Sequence, residues 1–179
     1  MPALRTEVGV VLERRPARSP WQDVIWEAHA VLPEPADAPA GTVLGSAGAG
    51  TLIYAGAVTL EVHTLDTAYY RENLATTRPQ VWVVLRPREG SALPDIPKVT
   101  CDPHEGEGHA GAGWDIVNAV PMPPSLAAWL AAFVQEHHVE RPFVKRKRDR
   151  ADPEALALGR QGPERDRLER ARRQREGGE

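Results

Sequence analysis

Residues 114–150 read WDIVNAVPMPPSLAAWLAAFVQEHHVERPFVKRKRDR, and the fold is decided there. An apolar strand, residues 115–120, runs into a corner marked by Pro121, Pro123 and Pro124. Beyond the corner Leu126, Trp129, Leu130, Phe133, Val134 and His137 recur at i, i+3, i+4 and i+7, the spacing of one helical face. Proline is tolerated in a first helical turn because its missing N–H would have no partner there. Ser125 is an alternative N-cap. Ala127, Ala128, Ala131 and Ala132 raise helix propensity. His137 and His138 suit the negative end of the helix dipole, and Pro142 blocks continuation. A helix over 124–138 would be about 22 Å long, enough to cover one face of a small sheet and too short to span a bilayer.

Outward from this segment the chain reads as short strands separated by turns. Val8, Val10 and Leu12 alternate within a strand at 4–14, and RPARSP follows as a turn. Residues 21–32 predict a second strand, ended by Pro33. The Pro-, Ala- and Gly-rich stretch 33–50 is expected to be a flexible surface insertion, since it buries too little apolar area to offset ordering entropy. Its GSAGAG end superficially resembles a phosphate loop but lacks the GxxxxGK[ST] pattern. Residues 51–65 form two short strands broken at Ala55-Gly56, or one long strand with a bulge. Asp66 can cap a helix that ends before Pro79. QVWVVLR at 80–86 is the clearest strand, and 98–102 is a short one. The four glycines of 103–113 oppose a stable helix, so that stretch is expected to be irregular.

The elements amount to six or seven short strands and two helices without regular βαβ alternation, and most connections are too short for parallel crossovers. The expected architecture is α+β: a mainly antiparallel curved sheet or small barrel, with the C-terminal helix packed on it. A single globular domain over 1–144 is followed by a charged tail, 145–179, expected to be disordered or partly helical.

Composition narrows the function. Residues 1–144 carry a formal charge of −7 and residues 145–179 carry +4. An acidic body is poorly suited to wrapping nucleic acid, whose phosphates need a basic surface. The single cysteine, Cys101, excludes an internal disulfide framework and fits a reducing compartment. The first residues show no signal peptide and no run is apolar enough for a membrane helix, so a cytoplasmic location is expected.

The candidate chemistry is sparse. Cys101, Asp102, His104, Glu105, Glu107 and His109 are ligand types close in sequence, and Cys101, His104 and His109 are the metal candidates. One cysteine and two histidines do not make a zinc finger, however, and a polar glycine-rich loop is the plainer account. Cys101 as a nucleophile competes with Cys101 as a small buried hydrophobe. His137 and His138 read as a helix end before they read as a ligand pair. Trp21, Trp26, Trp82, Trp114 and Trp129 are mostly core residues in this reading, with one or two left to line a groove. Arg141, Phe143, Val144, Lys145, Arg146, Lys147 and Arg148 read as a partner-binding segment, an apolar anchor followed by charge steering, narrowly ahead of a solvated tail and then of a nucleic-acid contact.

VGVVLERRP, PWQDVIWEAHAVLP, TLEVHTLDTAYYRENL, PQVWVVLR and the long block from Asp115 to Arg150 together resemble a proteobacterial family of domains of unknown function. The resemblance covers most of 7–150, with 33–50 and 103–113 as the points of departure. Genes of that family are often found beside those for formate dehydrogenase and its molybdenum-cofactor accessory factors. The resemblance therefore implies a non-catalytic accessory protein that assists assembly or maturation of formate dehydrogenase or a related molybdoenzyme, with a protein partner; no cofactor is expected. The alternatives are a small-molecule or metal-binding domain using the 101–109 loop, and a nucleic-acid-associated protein using the basic tail.

Overall fold

In the computed structural model, which describes residues 3–19, 22–111 and 113–139, seven strands form two antiparallel sheets accompanied by three helices. The α+β class is as expected. The sheets are separate and do not close into a barrel. The chain divides into two units, Met1–Val139 and Glu140–Glu179. The tail at 145–179 and the whole segment Arg141 to Arg148 lie outside the described residues.

The first sheet is built on β1 (Ala3–Ser19) and β4 (Gly50–His63), with β2 (Gln22–Leu32) and β3 (Val43–Ala47) at its edges, in the order β2-β1-β4-β3. Residues 51–63 are one long strand, and the bulge falls where Val10 faces Gly56 and Val11 faces Tyr54. Gly56 takes a φ of +116° there, a value that favours glycine. The turn expected at RPARSP is strand as far as Ser19: Pro16 pairs with Val24, and β1 runs on to Ser19. The second sheet has the order β6-β5-β7, from β5 (Gln80–Arg86), β6 (Asp95–Thr100) and β7 (Ile116–Pro121).

Residues alternating along the strands build a shared core. Val8, Val10 and Leu12 of β1, Leu60 and Val62 of β4, and Val81, Val83 and Leu85 of β5 are fully buried in one cluster. Burying such a side chain is worth ~1.5–3 kcal/mol each. Helix α3 (Pro124–His137) adds Leu126, Leu130, Phe133 and Val134, the stripe read from its spacing. It packs along α1 (Thr67–Leu74), where the Phe133 and Tyr70 rings meet edge-on at 6.5 Å. Between the sheets, the backbone N–H of Ala28 in β2 donates to Asn118 Oδ1 in β7 at 2.8 Å.

Two stretches differ from expectation. Residues 33–50 were expected to be a flexible insertion, but 43–47 form β3 and a two-residue connection leads into β4. Gly48, at φ +58°, supplies the positive angle that a tight hairpin needs. Upstream of β3 the chain is tied to Tyr54, which is 1% exposed. The Gly41 N–H donates to the Tyr54 carbonyl at 2.7 Å, the Tyr54 N–H to the Thr42 carbonyl at 2.8 Å, and the Ala36 N–H to the Tyr54 hydroxyl at 3.1 Å. GSAGAG is thus a hairpin. The second stretch, expected to be irregular, holds a third helix, α2 (Pro103–Ala110). Asp102 caps it by accepting from the His104 N–H at 2.8 Å, and Pro103 opens it.

Candidate functional site

Helix α2 organises the outer face of the second sheet. Along β5, Val81, Val83 and Leu85 face the core, so Trp82 and Val84 project the other way, toward α2. Trp82 lies directly under Gly106. A methyl group at Gly106 would fall inside the Cβ and ring atoms of Trp82. Glycine here is the condition for close approach, not a sign of irregular chain. The capping pattern was present in the sequence as Asp102-Pro103-His104-Glu105, an N-cap, a proline at the first helical position and an acid two residues on. The glycines outweighed it.

At the C-terminal end of α2, Asp115 is held in a tight arrangement. Arg86 Nε donates to Asp115 Oδ1 at 2.7 Å and Arg86 Nη2 donates to Oδ2 at 2.9 Å. The side chain of Asp115 is 1% exposed, and His109 Nδ1 sits 3.3 Å from Oδ2. The Arg86 hydrogen bonds hold the Asp115 carboxyl below its ordinary value, with a further contribution from His109. The same bonds raise the Arg86 guanidinium. Beside this group Trp114 stands 79% exposed, in a shallow depression lined with Arg86, Pro87 and Gly113.

At the N-terminal end of α2 is a cleft of about 370 Å³. Its lining includes Glu72 of α1, Thr77 and Arg78 just after it, Trp82 of β5 and Pro103 of α2. Asn73 forms its floor and is 4% exposed. Its Nδ2 donates to the carbonyls of Gln80 at 2.8 Å and Cys101 at 2.9 Å, and its Oδ1 accepts from the Gln80 N–H at 3.0 Å. One buried amide thereby joins α1, β5 and the link between β6 and α2.

The metal candidates are dispersed. Cys101 is fully buried, and burial pushes its thiol up to about 12, which leaves it a small core hydrophobe at neutral pH. The His104 ring packs edge-on against Tyr69 at 4.6 Å, while His109 turns toward Asp115. Among the described residues no group of three or more His, Cys, Asp or Glu is placed to hold a metal ion. Glu105 pairs with Lys98 at 2.7 Å. Burial raises its carboxyl, but the hydrogen bonds from Lys98 and Thr100 outweigh this and the net shift is downward. Asp66 is raised, first by burial and then by the neighbouring Asp102. His137 packs on Phe133 at 4.7 Å, and His138 Nδ1 lies 3.1 Å from Thr67 Oγ1, so both serve the end of α3.

The tryptophans take different places. Trp26 and Trp129 pack against the core, Trp82 lines the cleft, and Trp114 projects outward; Trp21 lies outside the described residues. The sequence reading missed Arg86, Asp115 and Asn73 as partners, because their pairing depends on β5, β7 and α1 meeting in space. No helix among the described residues is long and apolar enough to cross a membrane. No curated protein and no solved structure matches the chain. The family described as proteins of unknown function, DUF3305, matches residues 7–147, and the chain belongs to that family.

Proposed function

We propose that this protein is a non-catalytic cytoplasmic accessory factor that binds a protein partner, namely formate dehydrogenase or a related molybdoenzyme during assembly or maturation. The observation that carries the binding reading is Trp114, 79% exposed beside a fixed Arg86–Asp115 pair. Tryptophan and arginine are the residue types that dominate binding energy at protein interfaces. An exposed indole beside an ion pair offers a large apolar area to be buried on docking, next to groups that can hydrogen-bond a partner. The identity of the partner rests on the family resemblance and its gene neighbours. The segment from Arg141 to Arg148 would add charge steering toward an acidic surface.

The test is affinity purification of the tagged full chain from its native host, beside Trp114→Ala and a deletion of 141–179. The expected result is recovery of formate dehydrogenase subunits or their maturation factors, reduced about tenfold by Trp114→Ala and more modestly by the deletion. Trp114 is so exposed that its truncation leaves the fold intact. Recovery of unrelated proteins, or the same molybdoenzyme recovery from the Trp114 variant, would overturn the reading.

A further inference from the structure

Independently of that reading, we infer that the cleft between α1 and α2 binds a small zwitterion with a flat apolar side chain, of which a free aromatic amino acid is the type. The floor of the cleft is closed, because Asn73 spends its amide on Gln80 and Cys101. Thr76 spends its hydroxyl on the Asn73 carbonyl at 2.7 Å. Of the charged and hydroxyl side chains on the lining, three remain free. Among the described residues Glu72, Thr77 and Arg78 make no side-chain hydrogen bond or ion pair.

Charge decides the class of ligand. Glu72 and Arg78 are opposite charges on the lining of one cleft. A purely anionic guest is repelled by the first and a purely cationic guest by the second, while a zwitterion satisfies both. The ammonium group would face Glu72, and the carboxylate would face Arg78 with the Thr77 hydroxyl as a second donor. The apolar wall is Trp82, held in place by the close approach of Gly106 on α2. An indole wall favours a ring over an aliphatic chain, since aromatic pairs gain beyond their buried area. The volume of about 370 Å³ falls at the small end of ligand pockets.

Calorimetry on the full chain tests this with L-phenylalanine and L-tryptophan at millimolar concentration. Phenethylamine lacks the carboxylate and 3-phenylpropionate lacks the ammonium, so each isolates one charge. The inference expects at least one amino acid to bind, with both comparators weaker by about tenfold or more. Arg78→Ala and Glu72→Gln, both at exposed positions, should each weaken amino-acid binding by about tenfold while leaving the unfolding midpoint unchanged. Absence of heat with both amino acids overturns the inference, as does equal binding of the comparators or indifference to both variants. Trp114→Ala should leave the affinity unchanged, which separates failure here from failure of the partner reading.

Discussion

The two ends of α2 treat charge in opposite ways. At the C-terminal end Asp115 is sealed, its carboxylate 1% exposed, gripped twice by Arg86 and approached by His109. At the N-terminal end Glu72 and Arg78 line one cleft without partners among the described residues. A doubly hydrogen-bonded ion pair holds an element in place, and unpaired charges beside an aromatic wall offer themselves to a ligand. The helix between them lies against Trp82 through Gly106, so one packing contact sets the geometry of both ends.

The largest expected effect therefore comes from breaking that contact. Gly106→Val should lift α2 from Trp82 and cost about 3 kcal/mol, as overpacking against an immobile ring does. It should appear as a lower denaturant midpoint at unchanged slope. Asn73→Ala comes next. It removes the amide that joins α1 to β5 and to the chain just after β6 and leaves buried backbone groups unsatisfied, at about 2 kcal/mol in the same measurement. Asp102→Ala removes the cap of α2 and should cost about 1 kcal/mol, loosening the cleft end more than the Asp115 end by hydrogen exchange.

The mildest test sharpens the comparison through pH. The folded state lowers the Asp115 carboxyl below its ordinary value of 3.8. A lowered carboxyl stabilises the fold at pH above the unfolded value, and this is lost as pH falls through the depressed folded value. Wild type should exceed Asp115→Asn in thermal stability at neutral pH, and the gap should shrink as the pH drops below about 4. A gap that persists unchanged in acid would mean that packing, not charge, fixes this end.

How much of this was legible follows from which elements are local. The stripe from Leu126 to Val134, the alternation of Val8, Val10 and Leu12, and the run QVWVVLR carry their structure in spacing. The glycine-rich stretches did not, because glycine has two meanings. In 103–113 it permits a helix to touch Trp82, and in 45–50 it turns a hairpin. Propensity counts only its cost to a helix, not the ring beneath it. The metal candidates Cys101, His104 and His109 are close in sequence, yet a strand end and a helix point them apart. Arg86 and Asp115 are 29 positions apart and meet because β5 pairs with β7, a register no local pattern reveals.

The most direct test of the partner reading is a photo-crosslinkable amino acid at position 114, activated in the native host, with the adducts identified by mass spectrometry. The account predicts a specific adduct with a formate dehydrogenase subunit or one of its maturation factors, and none with the same probe at Val43, an exposed position on the far edge of the other sheet. Equal adducts from both positions, or adducts only with proteins unrelated to molybdoenzymes, would contradict it.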